Sequence, residues 1–237
     1  MCAPENPVPI TAYCNETAHD YDKCRFTTRQ GVLFAGLELK QLTTAIGEPQ
    51  SDARILEVGC GTARFSLHLA KLGFSVLATD PSPDMLAIAS RKCAEFDTIS
   101  FQQAEGARLP FADATFDFVF AIRVLNQTES QDYARKTIQE MIRVTKGGGL
   151  VLVEFVNARR PFPKETIDIR LSFGQIEKIA RECNCDIVSR SGVLVFSQSL
   201  LNRVPGVLIP VWGVVEQLAA RVLWRWASRG YVLLQNR

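Results

Sequence analysis

Glycines and carboxylates in the first third of the chain are spaced so that they could hold a ligand that carries a ribose. Gly59, Cys60 and Gly61 directly follow a short apolar run and precede a helical pattern. Glycines at this point let the backbone turn sharply and let a ligand approach without a Cβ atom in the way. Asp80 ends the next apolar run, 21 residues after Gly59, and a carboxylate there can accept hydrogen bonds from both ribose hydroxyls. The spacing therefore predicts a nucleotide-type cofactor site.

Two charged residues beside the glycine loop narrow the choice of cofactor. The third glycine of a dinucleotide-binding loop permits close packing of helix on strand, and the corresponding position here is Arg64. A side chain of that length disfavours a dinucleotide, and with it an NAD-dependent oxidoreductase. Glu57, just before the loop, would repel a pyrophosphate but suits a cationic ligand that carries a sulfonium and an ammonium group.

These residues can form one site only if the strands that precede them end at the same edge of a sheet, and the hydrophobic pattern predicts such strands. Ser82 and Pro83 mark a helix start, and Ser172 and Gln175 have the spacing of a capping box. The glycine run at 146–149 predicts a turn after a helix. Apolar runs separated by helical patterns predict a mainly parallel α/β sheet, in which ligands bind beyond the carboxyl ends of the strands. The predicted strands are residues 54–58, 74–79, 99–103, 116–122, 150–156, 186–196 and 231–234, and the predicted helices are residues 13–46, 62–72, 82–93, 131–144 and 172–183.

The glycine loop and its surroundings resemble the motifs of class I S-adenosylmethionine-dependent methyltransferases. The likeness covers about residues 13–196 and is closest to the small-molecule branch, which includes quinone-biosynthesis methyltransferases. It implies a Rossmann-like, doubly wound, mainly parallel seven-stranded sheet, with helices before it and a helical insertion before the last strand. The matching segments are ILEVGCGT at 55–62, LATD at 77–80 with SPDML at 82–86, AEGARLPF at 104–111, FDFV at 116–119, and EMIRV at 140–144 with KGGG at 146–149.

The resemblance implies roles for a set of positions around the cofactor, S-adenosyl-L-methionine. Gly59 and Gly61 would bracket its methionine part, and Glu57 would orient that part through the loop. Asp80 would hold the ribose, and Met85 would flank the adenine. The implied cofactor-binding residues are Glu57, Gly59, Cys60, Gly61, Asp80, Pro81, Met85, Glu105, Gly106, Ala121 and Ile122.

Four more of those residues would contact the adenine or line the methyl end of this implied site. Glu105 stands where the family usually has an aspartate that contacts the adenine amino group, and its longer side chain would shift that contact. Gly106 would offer its backbone N–H to the adenine. Ala121 and Ile122 would line the cofactor beside the reacting methyl group.

Two further positions depart from the family pattern. Ala63 replaces a glycine that often follows the loop, and Asn126 with Gln127 replaces a pair of histidines after the fourth strand. The missing histidines argue against a histidine base from this position. Both departures leave an alternative function open, that of a catalytically inactive S-adenosylmethionine-binding regulatory or scaffold protein.

Methyl transfer from a sulfonium is an in-line displacement, in which the protein mainly aligns the nucleophile, the methyl carbon and the leaving sulfur. A general base is needed only when the acceptor must lose a proton. Residues 18–22 resemble an N-terminal active-site segment of the family, which makes Tyr21 a residue that would cover the cofactor and His19 a candidate base. Arg123, just past the fourth strand, would stand at the acceptor mouth and pair with an anionic substrate, or would be an exposed loop arginine. The predicted catalytic residues are therefore His19, Tyr21 and Arg123.

The pattern divides the chain into four segments. Residues 1–50 are predicted to form an N-terminal arm and helical cap, 51–197 the cofactor-binding core, 198–229 a helical insertion and 230–237 the last strand. The apolar content of the insertion favours a lid over a hydrophobic or aromatic acceptor. A core or dimer contact ranks second, and a membrane-surface helix third, since Trp and Arg together favour membrane interfaces.

Composition limits the partners and the location of the protein. The chain has 27 Lys and Arg against 25 Asp and Glu, so its formal charge of +2 gives no reason to propose a nucleic-acid partner. Its seven cysteines form no CxxC pair, which favours reduced thiols in the cytoplasm and predicts no metal site. The N-terminus shows no signal-peptide pattern. The predicted partner is a small-molecule acceptor, and a homodimer contact stays open.

Overall fold

The computed structural model of the protein describes residues 29–48, 52–160, 169–196 and 209–237. His19 and Tyr21, two of the predicted catalytic residues, lie outside the described residues. The same holds for residues 198–208, the first part of the predicted insertion. The described residues form a central sheet with helices on both of its faces.

The sheet contains a continuous path of seven strands. The strands are β1 Ile55–Val58, β2 Val76–Asp80, β3 Ile99–Gln103, β4 Phe116–Ala121, β5 Thr145–Asn157, β6 Arg170–Leu171, β7 Cys185–Val193 and β8 Arg229–Asn236. The path runs β3-β2-β1-β4-β5-β8-β7, and the two-residue β6 pairs with the end of β5. Only β8 runs antiparallel to its neighbours on this path, so the prediction of a mainly parallel seven-stranded sheet is confirmed. The strand order reverses between β1 and β4, which opens a crevice at their carboxyl ends.

Six α-helices accompany the described strands. They are α1 Arg29–Ile46, α2 Arg64–Lys71, α3 Pro83–Lys92, α4 Gln131–Val144, α5 Phe173–Glu182 and α6 Ile209–Leu223, and short 3-10 turns cover Leu125–Gln127 and Trp224–Trp226. Ser82 caps α3 by accepting a hydrogen bond from the Met85 backbone N–H at 3.3 Å. Ser172 and Gln175 form both halves of the predicted capping box on α5. These caps begin α3 and α5 at the positions that the sequence predicted.

Two hydrophobic clusters cover opposite faces of the sheet and explain the nearly continuous apolar character of β4. Phe118 and Phe120 point toward α1 and α2, where they pack with Phe65. Val119 and Ala121 point to the other face, which α4 and α5 cover. Because alternate β4 residues enter different clusters, both faces are sealed and the functional groups gather at the carboxyl edge.

The predicted turn at residues 146–149 is wrong. The helix ends at Val144 as predicted, but β5 begins at Thr145 and runs through the three glycines. A register shift between Phe116 and Phe118 accommodates this part of β5 beside β4. The Gln235 side chain on β8 also donates to the Gly148 carbonyl at 3.0 Å. Pairing across the sheet therefore extends a segment whose local sequence favours a break.

Candidate functional site

A cavity lies at the carboxyl ends of β1, β2 and β4, where the strand order reverses. It holds about 980 Å³ of empty space, which includes a part open to solvent. The lining residues are Val58, Gly59, Cys60, Gly61, Arg64, Phe65, Asp80, Pro81, Ser82, Met85, Gly106, Ile122, Arg123, Val124, Gln127, Thr128, Tyr133 and Thr137.

The glycine loop forms one wall of the cavity, and its backbone needs its glycines. Gly59 and Gly61 have φ angles of +73° and +53°, in the left-handed region that side chains disfavour. A Cβ atom on Gly59 would lie 2.5 Å from Cγ2 of Val124, so this position tolerates no side chain. Ala63 also adopts a left-handed φ of +56°, which explains why related loops often carry glycine there. The alanine keeps the loop shape at the cost of local strain.

Asp80 joins the glycine loop to the start of α3. One carboxylate oxygen accepts a hydrogen bond from the Gly61 N–H at 2.8 Å, and the other accepts from the Ser82 N–H at 2.9 Å. Burial raises the pKa of Asp80 above its usual value, and the two backbone donors oppose this effect. The carboxylate also lines the cavity, so its remaining lone pairs can accept from a ligand hydroxyl.

Glu57 lies beneath the glycine loop and not on the cavity wall. Its Oε2 accepts from the Ser66 backbone N–H at 3.0 Å and from the Ser66 hydroxyl. Burial raises the pKa of Glu57 to about 7, although the two Ser66 donors oppose the shift. The carboxyl is thus bound to the first turn of α2 through Ser66, and its role in orienting the cofactor stays a prediction.

The other predicted cofactor residues divide into those that reach the cavity and those that do not. Cys60, Pro81, Met85, Gly106 and Ile122 line the cavity together with the glycines and Asp80. Glu105 is outside the lining set, and the fully buried Ala121 points into the core on the side of α4. The structure therefore brings most, but not all, of the predicted positions to one space.

Sequence reasoning missed two polar residues on α4 that line the cavity. Tyr133 and Thr137 lie one helical turn apart, and the Thr137 hydroxyl donates to the Tyr133 carbonyl at 3.0 Å. Burial raises the pKa of the Tyr133 hydroxyl. The sequence signal that could have found them is their spacing of four residues near the start of α4, because residues four apart lie on the same face of a helix. Together with Gly106 they form part of the cavity wall.

Charged side chains that are buried or partly buried form another part of the cavity wall. Glu38 on α1 bonds Arg64 at 2.6 Å and the Nε of Arg123 at 2.6 Å, and both arginines line the cavity. The two guanidinium groups lower the pKa of Glu38 against the effect of burial. Neither terminal nitrogen of Arg123 has a hydrogen-bond acceptor among the described residues. Arg123 can therefore offer these donors to a ligand in the cavity.

A second buried carboxylate holds the backbone of Arg123 in place. Glu154 on β5 accepts from the Arg123 N–H at 2.7 Å and from Arg229 at 2.9 Å. Arg123 has a left-handed φ of +64°, a conformation that persists where the surroundings enforce it. The cluster therefore contains three arginines and two glutamates, Glu38 and Glu154, which leaves one positive charge in excess beside the cavity.

The arrangement fits the cofactor that the sequence motifs imply. Open glycine backbone and a buried carboxylate line the same cavity, and these are the groups that a methionine part and a ribose would require. Met85 also lines the cavity and would offer an apolar contact to a purine. Among the described residues, no group of three His, Cys, Asp or Glu side chains is placed to hold a metal ion.

Comparison with known proteins gives a family and named relatives. A family model described as a methyltransferase domain matches residues 56–153. The chain is 32% identical over 171 residues to demethylmenaquinone methyltransferase of Clavibacter sepedonicus, a match that covers 70% of this chain and 65% of the relative. It is 39% identical over 155 residues to the enzyme of the same name from Renibacterium salmoninarum, with 64% and 60% covered. These matches span less than two thirds of the relatives' own length.

The fold has a counterpart among solved structures. Magnesium protoporphyrin IX methyltransferase from Synechocystis, solved with bound S-adenosylmethionine, superposes with a TM-score of 0.65 at 16% identity, covering 100% of this chain and 99% of the other. At this identity the likeness concerns the fold alone. The matched domain and these relatives make the chain similar to S-adenosylmethionine-dependent methyltransferases, and the ordered motifs and the strand order agree with that likeness.

Proposed function

We propose that the chain transfers a methyl group from S-adenosylmethionine to a small apolar or aromatic acceptor, and that the acceptor is a quinone-like molecule in its reduced form. The observation that carries this proposal is a cavity whose wall combines two kinds of group. The glycine loop and Asp80 form one part of the wall, and another part is Arg123, whose terminal nitrogens have no hydrogen-bond acceptor among the described residues. The relatives named as demethylmenaquinone methyltransferases support a quinone-like acceptor.

Different residues around the cavity bind different parts of the cofactor. Gly59 and Gly61 leave room for the methionine part, and Asp80 accepts from the ribose hydroxyls. Met85 and Gly106 contact the adenine. The predictions that Cys60 and Pro81 flank the cofactor, and that Glu105 reaches its adenine amino group, belong to the same proposal.

The acceptor end supplies alignment and charge. S-adenosylmethionine, when bound, supplies a methyl group activated by its sulfonium. Ile122, Val124 and Phe65 are apolar lining residues that exclude water from the transfer. A guanidinium at hydrogen-bond distance from an acceptor oxygen favours its deprotonated form, because the positive charge stabilises the anion. Arg123 would thus promote loss of the acceptor O–H proton to solvent before the methyl group moves to the acceptor nucleophile.

This role for Arg123 removes the need for a histidine base after β4. Gln127 occupies part of the position of the missing histidine pair and lines the cavity, where its side chain donates to the Arg123 carbonyl at 2.8 Å. The conformation of Arg123 is thereby held by Gln127 as well as by Glu38 and Glu154. The roles of Tyr21 as a cover over the cofactor and of His19 as a base stay predictions, and so do the homodimer and the cytoplasmic location.

Turnover measurements test the proposal. The protein is incubated with S-adenosylmethionine and a soluble hydroquinone such as reduced naphthoquinone, and S-adenosylhomocysteine and the methylated product are quantified by mass spectrometry. Arg123→Gln should raise the acceptor KM about tenfold to a hundredfold, because a charge-assisted hydrogen bond contributes about 1.5 to 3 kcal/mol. Arg123→Lys, which keeps the charge, should recover part of the loss.

Two outcomes would contradict the proposal. A protein that binds S-adenosylmethionine in calorimetry but forms no product with any acceptor of this class is the inactive binding protein of the alternative hypothesis. An Arg123→Gln variant that weakens cofactor binding and leaves the acceptor KM unchanged would move Arg123 from the acceptor end to the cofactor end.

A further inference from the structure

An unusual surface is formed by the outward face of α6. Val211, Val214, Val215, Leu218 and Val222 are all exposed, with 40 to 76% of each residue accessible to solvent. Their spacing of three, one, three and four residues places them along one stripe of an α-helix. Trp226, in the turn that follows, is 52% exposed. We call Val211, Val214, Val215, Leu218, Val222 and Trp226 the α6 surface.

The orientation of this stripe is determined by contacts on the opposite side of the helix. Glu216 is buried and accepts hydrogen bonds from the backbone N–H groups of Val195 at 2.6 Å and Phe196 at 3.3 Å. The ring of Trp212 packs on Phe196 with centroids 5.1 Å apart. Because these polar and aromatic anchors face inward, α6 cannot rotate to hide its exposed valines without breaking them.

The charges on this segment have one sign. Between residues 211 and 226 the exposed charged side chains are Arg221 and Arg225, and the single acid of the segment is the buried Glu216. A twofold dimer through this face would bring two pairs of arginines into one interface, with no acid of the segment to neutralise them. An apolar stripe with a tryptophan and basic side chains at one end instead complements anionic lipid headgroups above an acyl region.

The basic end of the α6 surface lies at the sheet edge that carries the cavity. The Asn157 side chain at the end of β5 donates to the carbonyls of Arg225 at 2.8 Å and Ala227 at 2.9 Å. Arg229, which begins β8, pairs with Glu154 beside Arg123. A membrane bound at this end would therefore be on the same edge as the acceptor end of the cavity.

We propose that the α6 surface docks the protein on a membrane that contains anionic lipids. The aliphatic stripe would enter the boundary between headgroups and acyl chains, and Arg221 and Arg225 would pair with lipid phosphates. No helix within the described ranges is long and apolar enough to cross a bilayer, which fits a helix lying in the interface plane. The benefit of such docking, delivery of an apolar acceptor from the lipid phase, rests on the proposed function, but the docking itself does not.

Vesicle flotation at low salt tests the proposal with the full chain. Vesicles of phosphatidylcholine with phosphatidylglycerol should carry the protein upward, and vesicles of phosphatidylcholine alone should carry much less. A Leu218→Glu, Val222→Glu double variant should lose binding to both kinds of vesicle. An Arg221→Glu, Arg225→Glu double variant should bind the anionic vesicles about tenfold less or weaker still, because each basic residue near such a surface contributes measurably to binding. Val188→Glu, at an exposed valine on β7, is the matched control and should float like the unmodified chain.

Two readouts separate this proposal from the proposed function. Cofactor binding by calorimetry and turnover of a water-soluble acceptor should be the same in all these variants and the unmodified chain, since none of the altered residues lines the cavity. A chain that lacks turnover but floats would leave the docking proposal standing. Absence of flotation with anionic vesicles at low salt would overturn it. So would a concentration-dependent dimer that the Leu218→Glu, Val222→Glu variant abolishes, because the face would then belong to a second copy.

Discussion

Replacement of Glu57 by Gln should stabilise the ligand-free protein more at pH 8 than at pH 5. Glu57 is only 2% exposed, and burial raises its pKa from the usual 4.5 to about 7. A carboxyl whose pKa is higher in the folded state contributes its full stability below the unfolded pKa. This contribution is lost as the pH rises through the folded pKa. The window of loss therefore extends from about pH 4.5 to a little above pH 7.

The size of the effect follows from the same shift. A change in pKa from 4.5 to about 7 corresponds to about 3 kcal/mol, because each tenfold change in the dissociation constant is worth about 1.4 kcal/mol. Since part of the loss occurs below pH 5, the advantage of Glu57→Gln should grow by about 2 to 3 kcal/mol between pH 5 and pH 8. Any stability that Glu57→Gln loses because the new amide pairs poorly with Ser66 is the same at pH 5 and pH 8. This loss therefore cancels when the two pH values are compared.

The assay is equilibrium urea unfolding of both proteins at the two pH values, without cofactor. If the difference in unfolding free energy between variant and unmodified chain is the same at pH 5 and pH 8, the carboxyl is not titrating in the folded protein and the reasoning fails. At pH 8, where the carboxyl is ionised, Glu57→Gln should weaken cofactor binding. Loss of a negative charge near the sulfonium costs about 1 to 2 kcal/mol at an effective dielectric constant of about 20, which is about tenfold in Kd.

Two further predictions concern the charge cluster and the glycine loop. Glu38→Gln should destabilise the protein by about 2 to 4 kcal/mol at pH 8, because it leaves two partly buried arginines without a carboxylate. Since the pKa of Glu38 is lowered in the folded state, the difference measured by urea unfolding should shrink as the pH falls through that pKa; a constant difference would show that the ion pairs contribute nothing. Gly59→Ala should abolish measurable cofactor binding, whereas Gly47→Ala, with nearly the same φ of +72° but open space around the Cβ position, should cost only about 1 to 2 kcal/mol of stability. Equal calorimetric affinities for the two alanine variants would refute the steric argument at Val124.

The part of the cavity wall around the glycine loop could be predicted because its sequence signals are local. Strand, glycine loop, helix and the acid that ends the next strand are neighbours along the chain, so spacing alone brings Gly59, Gly61 and Asp80 to one cavity. Met85 follows from the helix start at Ser82 in the same way. The parallel sheet was predictable for a related reason, since the alternation of apolar runs and helical patterns leaves few topologies.

The charge cluster around Arg123 could not be predicted, because it is assembled over long separations. Glu38 contacts Arg123 across 85 residues, and Arg229 contacts Glu154 across 75. No local pattern marks Glu38 as buried, and only the packing of α1 over the sheet shows that it holds two cavity arginines. Glu105 and Ala121 are the opposite case, in which a local motif predicts a role and the structure does not bring the residue to the cavity. The motif assigns both residues to the cofactor, but Glu105 does not line the cavity and the geometry of β4 turns Ala121 into the core.

By itself the sequence determined the class of the fold and the glycine loop, because these depend on residue types at short, fixed spacing, and the resemblance of its motifs indicated S-adenosylmethionine. Tertiary structure alone decided which charges surround Arg123, how far β5 extends through residues 146–149, and which face of α6 meets solvent. The physical reason is that burial, ion pairing and strand pairing are properties of segments distant in the chain. Their free energy depends on what packs against them and not on the local sequence.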